Sequence, residues 1–350
     1  MKKRKKQQKI KRKYKIWIWV GAVVCLLVVG GGIFSLRWQR LDIEAPERVY
    51  IPAHSTFDAV VDSLDAHNCL PNKAVFSLLA KVRGYSNHIK GGSYVFQPQM
   101  GILQVFAKLN SGNQDPVRIT INRHRTKASL CQYLERKLEL DADSLLLLLN
   151  TDSVCAHYML DTNQIIGIFC QNTYEVYWNI SPRRLLDRMF QEYNRFWNEK
   201  RMGQCAELQL SQGDVVTLAS IVDEETNNNE EKPTIASVYL NRLRKGMLLQ
   251  ADPTLKYSVG DFTLRRLTAK QMASDSPYNT YRNKGLPPGP ICIPSVASID
   301  AVLDNLRTDY LYFCAKEDFS GSHNFAATLA EHQRNAARFH QALNRRNIYK

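Results

Sequence analysis

A short acidic run, Ser220-Ile221-Val222-Asp223-Glu224-Glu225-Thr226, closes a segment patterned as a buried helix. Val215, Leu218, Ala219 and Val222 recur at helical spacing and define an apolar stripe. At roughly 100° per residue, Glu225 falls on one shoulder of that stripe, about 60° from its centre. Asp223 falls on the opposite shoulder, and Glu224 points nearly opposite, to solvent. A carboxyl beside an apolar face loses hydration. Its pKa rises, and the protonated form that a general acid needs persists toward neutral pH. The pattern alone favours a plainer reading, an ordinary acidic turn at a helix end. The segments that follow shift the balance to Glu225 as a proton donor.

Other chemistries find little support. Ser220 and Ser322 have no matched His-Asp arrangement, which argues against a serine hydrolase. No His and Cys cluster has metal-ligand spacing, so neither a structural zinc nor another cofactor is expected. Of the eight cysteines, Cys25 stands apart from Cys69, Cys131, Cys155, Cys170, Cys205, Cys292 and Cys314. None forms a C-x-x-C pair, and spacing does not reveal connectivity.

The 350 residues can hold about two domains and an anchor. The formal charge is +14, but ten Lys and Arg lie in the first sixteen residues with no acid among them. The remainder carries 14 − 10 = +4, which argues against a nucleic-acid partner. Ile16 to Leu36 is a run of 21 residues without a charged side chain. At 1.5 Å per residue it spans roughly 30 Å, the thickness of a bilayer's hydrocarbon core. Trp17 and Trp19 at one end and Trp38 at the other suit the two interfaces. Arg37-Trp38-Gln39-Arg40 is a poor cleavage site, so an uncleaved signal anchor is expected. The basic tail, 1–15, then stays in the cytoplasm and the rest of the chain lies outside.

Residues 44–112 read as a small unit: a strand at Arg48–Pro52, a helix after Ser55-Thr56, a second from Pro71-Asn72, then a strand at Ser93–Phe96. That order resembles a LysM-like module, a type that binds glycans. A short helix from Ile102 to Leu109 follows. Val117–Ile121 is a strand opening the main domain. Helices are expected at Lys127–Leu138, Ser144–Asn150 and from Pro182 to Trp197, where Ser181 caps and proline takes the first turn. Arg201–Gly213 reads as a connector. After the acidic helix comes another, Pro233–Lys245, stopped by Gly246. Leu249–Thr254 reads as an extended or turn segment. Pro- and Gly-rich loops follow, then a buried strand at Tyr310–Cys314, a loop at Gly321–Phe325 and a final helix from Thr328 to about Arg346.

Six segments, in order, carry a resemblance. They are Ala219–Thr226, Ala236-Ser237-Val238-Tyr239-Leu240-Asn241-Arg242-Leu243, Leu249-Gln250-Ala251-Asp252-Pro253-Thr254, Ser276-Pro277-Tyr278-Asn279-Thr280-Tyr281, Gly285-Leu286-Pro287-Pro288-Gly289-Pro290-Ile291 and His323-Asn324-Phe325. Together they resemble the YceG-like family of endolytic murein transglycosylases across roughly residues 115 to 345. Two positions depart from it: Gln171-Asn172 stands where Pro-Asp is usual, and Ala251 where Thr is common.

The resemblance implies an α+β chain with a transmembrane helix at 16–36, a LysM-like βααβ module at 44–112 and a mixed α/β catalytic domain at 115–345. It implies cleavage of the β-1,4 bond between N-acetylmuramic acid and N-acetylglucosamine inside glycan strands, leaving 1,6-anhydro ends. The family's acid maps onto Glu225, with Asp223 and His323 in support. Asn241, Gln250, Asp252 and Asn279 are expected to hydrogen-bond sugar substituents, and Tyr278 and Tyr281 to stack on rings. Peptidoglycan strands, the lipid bilayer and wall synthases such as penicillin-binding proteins are the implied partners, at the bacterial plasma membrane with the catalytic domain periplasmic. A non-catalytic glycan-binding scaffold and a hydrolase acting through water are the competing readings.

Overall fold

The computed structural model describes residues 39–264 and 268–346, with residues 17, 19–21 and 23. The expected basic tail lies outside the described residues, and so does nearly all of the expected anchor. Among the described residues no helix is long and apolar enough to cross a membrane. The chain divides into two compact units, Met1–Val117 with Val176–Asn179, and Arg118–Glu175 with Ile180–Lys350.

In the first unit, β1 (Glu47–Ile51), α1 (Phe57–Ala66), α2 (Lys73–Arg83), β2 (Gly92–Phe96) and α3 (Ile102–Ser111) follow in order. β1 and β2 pair antiparallel, Glu47 opposite Phe96 and Ile51 opposite Gly92. Thr56 and Asn72 cap the two helices through their side chains. Val49, Val60, Leu64, Phe76, Tyr94, Phe96 and Leu109 are sealed in a common core. Phe76 and Tyr85 each make edge-on contact with Phe106 within it, both at 5.8 Å.

The second unit holds β3 (Val117–Ile121) from Arg118 on, then α4 (Lys127–Glu135), α5 (Ala142–Leu149), α6 (Asp152–His157), β4 (Asn172–Val176) up to Glu175, α7 (Pro182–Phe196) and α8 (Glu199–Leu208). Then come α9 (Gln212–Glu225), α10 (Lys232–Arg244), α11 (Asp252–Val259), α12 (Ala269–Met272), α13 (Val296–Leu303), β5 (Tyr312–Ala315), β6 (His323–Ala326) and α14 (Leu329–Arg345). β3 pairs with β4, and β5 pairs antiparallel with β6, Tyr312 opposite Ala326. The chain is thus mixed α/β with three two-stranded sheets among the described residues. α9, α10 and α13 pack on one another, and α14 packs on β5.

α9 is more enclosed than its stripe suggests. Every residue from Val215 to Asp223 is buried, so neighbours cover the helix all round. Ser211 and Asp214 close its start with a reciprocal capping box.

Four local expectations are corrected. Glu199–Leu208 is a helix rather than a connector: Asn198 caps it, and a single buried residue, Cys205, leaves no apolar stripe to read. Leu249–Thr254 is not turn throughout: Ala251 is extended, as a residue before Asp-Pro in a cap position can be, and Pro253 in the first turn starts α11. His323–Ala326 is a strand rather than a loop because β5 supplies its partner. The strand expected at Tyr310–Cys314 begins at Tyr312 and is half-buried.

The Gly285–Ile291 loop owes one glycine to close approach. A Cβ on Gly289 would lie 2.4 Å from the Asn163 carbonyl oxygen, and backbone cannot yield as a side chain would. Gly289→Ala is expected to lower the thermal unfolding midpoint by several degrees, about 1–3 kcal/mol, read by calorimetry or circular dichroism. An unchanged midpoint would show that this loop stands off from Asn163.

Candidate functional site

Glu225 is the last residue of α9. It lines a cavity of about 300 Å³ with Tyr239, Arg242, Leu249, Gln250, Asp252, Tyr281, Phe313 and His332. Tyr239, one face of α10, donates its hydroxyl to Glu225 Oε1 at 2.6 Å. Burial pushes the Glu225 carboxyl up to about 7; the Tyr239 hydrogen bond and Lys256 oppose the rise, while the charges of Asp252 and Glu224 add to it. Glu225 is part-buried, so the group meets the cavity while losing most of its hydration. A carboxyl so placed holds both protonation states within reach near neutrality.

Asp252 opens α11 on the same cavity and accepts a hydrogen bond from the Tyr281 hydroxyl. Gln250 turns the chain toward it with φ at 51°, the left-handed region that a non-glycine residue rarely adopts. The Gln250 amide donates to Thr280 O at 3.1 Å, joining this turn to the segment that carries Tyr281. Burial, then the hydrogen bond to Asp252, push the Tyr281 phenol well above its usual pKa, so it remains a donor.

Asp223 faces elsewhere and is fully buried. Oδ1 accepts from Lys232 Nζ at 2.9 Å, from Ser295 Oγ at 2.6 Å and from Ser298 Oγ. Oδ2 accepts from Arg123 Nε at 2.8 Å. Burial pushes its pKa up, but the serine and lysine hydrogen bonds and the Arg123 charge outweigh it and hold Asp223 below the ordinary carboxylate range. Its placement is that of an anchor for the end of α9.

Glu224 corrects the angular reading. It does not face solvent: Arg125 holds it in a forked pair, with Nη2 2.8 Å from Oε2 and Nε 3.0 Å from Oε1. The Arg125 guanidinium in turn lies 5.0 Å over the Phe262 ring.

The cavity gathers Glu225, Gln250, Asp252 and Tyr281 of the residues singled out from sequence. Four others serve as framework. Asn241 donates its amide to Thr308 O at 2.7 Å and Tyr310 O at 3.0 Å. Asn279 is sealed, donates to Ser274 O at 2.7 Å and Met272 O at 3.0 Å, and accepts from the Tyr281 amide. Tyr278 packs on Tyr257 at 4.8 Å. None of these three is among the residues lining the cavity: local backbone takes the two amides, and the Tyr257 ring packs on Tyr278. His323 donates its backbone N–H to Glu231 Oε1 at 2.9 Å, holds Nδ1 3.0 Å from Oε2, and packs at right angles to the ring of the cavity-lining Phe313 at 5.3 Å.

Sequence reasoning passed over Tyr239, Arg242, Phe313 and His332 as site residues. Tyr239 and Arg242 had one usable signal, an i,i+3 spacing on one helix face. Phe313 and His332 had none, since β5 and α14 reach the cavity only through tertiary folding. Among the described residues no cluster of His, Cys, Asp or Glu could hold a metal ion.

The chain is similar to known proteins. An endolytic murein transglycosylase from Bacillus subtilis is 27% identical over 328 residues, covering 88% of this chain and 90% of that one. One of the same description from Streptococcus pneumoniae is 25% identical; the match covers 90% of this chain and 63% of the longer relative. A crystal structure of a YceG-like protein from Listeria monocytogenes superposes with a TM-score of 0.56 at 28% identity, covering 83% of this chain and 99% of that one. The family model described as YceG-like matches residues 49–338, which spans both compact units, and the chain belongs to that family.

Proposed function

We propose that this protein is an endolytic lytic transglycosylase of peptidoglycan, with Glu225 as its one acid and base. The observation that carries the reading is the Glu225 carboxyl, raised to about 7 and hydrogen-bonded by Tyr239 on the wall of a cavity. The names of the relatives support the substrate class.

In the proposed reaction, protonated Glu225 gives its hydrogen to the glycosidic oxygen between N-acetylmuramic acid and the next N-acetylglucosamine. The C1–O bond breaks and the departing sugar leaves as an alcohol. Glu225, now a carboxylate, takes the proton from the muramyl C6 hydroxyl. That oxygen closes on C1, giving a 1,6-anhydro end and restoring the acid. No water enters, and no second carboxylate is required. Tyr239 steadies the charged form of Glu225 between the two transfers, and the Asp252 charge favours return of the proton. A hydrolase would use both carboxyls and water. Asp252 on the cavity wall keeps that second reading open, and reducing rather than anhydro ends would identify it.

The rest of the assignment follows from sequence. Residues 16–36 anchor the chain in the plasma membrane, with the basic tail cytoplasmic and the catalytic unit outside. The strand, helix, helix, strand order of the small unit supports a LysM-like glycan-binding role. Cutting nascent strands beside penicillin-binding proteins would end their elongation.

Glu225→Gln is expected to reduce release of anhydro-muramyl ends on the order of 10²–10⁴-fold, measured by mass spectrometry of digested glycan strands. Full activity in that variant rules Glu225 out. Because the folded pKa lies above the unfolded one, the neutral carboxyl is the form that folding favours, and stability is lost as pH rises through about 7. The same variant should therefore melt higher than the native chain at pH 8 and at a similar temperature at pH 4. A stability difference that does not change with pH would mean Glu225 titrates normally.

The cleavage rate should fall as pH rises above about 7, where the acid loses its proton. Tyr239→Phe removes the bond that favours the carboxylate and should shift that fall to higher pH. A shift to lower pH would show that Tyr239 acts instead on the protonated form.

A further inference from the structure

Two groups on the cavity wall have no task in these proton transfers. The first is Arg242, which is only 8% exposed. Its Nε donates to Leu311 O at 2.7 Å, and Nη1 donates to Leu249 O at 2.8 Å and Leu248 O at 3.2 Å. The guanidinium carbon sits 5.3 Å from the Tyr312 ring centre. These contacts fix the plane of the group yet use only two of its nitrogens. Nη2 meets no hydrogen-bond partner among the described residues, and Arg242 lines the cavity. A guanidinium has donors only, so a nearly buried one left with a free edge is set for an oxygen acceptor.

The second is His332 on α14. Its ring stacks on the other partner of Arg242, Tyr312, at 5.3 Å and 21°. Nδ1 is sealed from solvent and meets no hydrogen-bond partner. Burial, then the charge of Arg242, push the imidazole below its ordinary pKa, so the ring is neutral near pH 7 and carries one N–H. Placing that proton on Nδ1 would seal an unpaired donor; placing it on Nε2 leaves the donor on the unsealed nitrogen. Arg242 and His332 therefore present donors beside the same tyrosine, in a cavity whose acid needs a sugar held in register.

We propose that Arg242 Nη2 and His332 Nε2 form an acyl-oxygen subsite, which receives a carbonyl or carboxylate oxygen carried by the glycan. The proposal rests on the transglycosylase reading and names the chemistry by which the cavity positions its strand. Two substrate groups offer such an oxygen. The 2-acetamido group is present on both sugars, and the 3-O-lactyl group is present on the muramyl sugar alone. Both residues act as positioning groups, since neither exchanges a proton with the scissile bond.

His332→Phe keeps a flat ring against Tyr312 and removes both nitrogens. The test uses the full-length chain in detergent, carrying Glu225→Gln so that ligands remain intact. Binding of a peptidoglycan tetrasaccharide and of chitotetraose, which lacks lactyl groups, is measured by calorimetry with and without His332→Phe. The expected result is about ten-fold weaker binding. Loss for the muramyl ligand alone assigns the lactyl oxygen; loss for both assigns the acetamido oxygen. With Glu225 restored, His332→Phe should raise KM about ten-fold and leave the falling pH limb in place. Arg242→Lys, which keeps the charge but not the fork, should weaken the same ligand. Equal binding with and without His332→Phe overturns the subsite, as does absence of binding of either ligand to the Glu225→Gln chain. If the native chain releases anhydro ends while His332→Phe binds normally, only the subsite fails. If the native chain cleaves nothing, the transglycosylase reading fails first.

Discussion

The carboxylate of Asp223, removed from solvent, meets a lysine from α10, two serines at the start of α13 and an arginine just after β3. Three segments, 9, 72 to 75 and 100 residues away along the chain, thus converge on one charge. Burying an ion pair yields little net stability, because desolvation offsets the attraction. Removing one partner, however, strands a charge in a dry interior, at a cost of about 3–5 kcal/mol. The network therefore acts chiefly as a constraint. It ties α9 to α10 and α13 two residues before Glu225.

Asp223 and Glu225 lose hydration on the same helix and respond in opposite ways. Asp223 receives enough donors to stay charged. Glu225 receives one, the Tyr239 hydroxyl, and burial prevails. Glu224, between them, has an arginine fork of its own. Three consecutive acids thus divide into an anchor, an ion pair and a carboxyl raised to about 7. The division comes from the number of donors each one meets, since the side chains differ by at most a methylene.

The cavity is assembled from segments that gain their position by framework bonds rather than by reaching into it. Asn279 spends its amide on the loop behind Tyr281, and Asn241 ties α10 to the chain leading into β5. β5 then delivers Phe313, and α14, packed on that strand, delivers His332. Polar residues in the six segments that carry the resemblance are therefore as much scaffold as site. The left-handed Gln250 beside Asp252 marks where backbone strain is accepted to aim a side chain.

Much of the local structure could be read from the chain itself. Apolar spacing over Val215–Val222, a Ser-Pro start before α7 and the caps at Thr56 and Asn72 report interactions within a few residues. The same short range placed Glu225 beside an apolar stripe, and the segments around it resembled a glycan-cleaving family. Tertiary structure alone decided that Glu224 is paired inward, that Asn241, Tyr278 and Asn279 support the cavity instead of lining it, and that Arg242 and His332 share a tyrosine. The physical reason is range. Helix periodicity and capping are settled by bonds across one turn, whereas hydration and donor count depend on segments up to about a hundred residues away, which only the packed chain brings together.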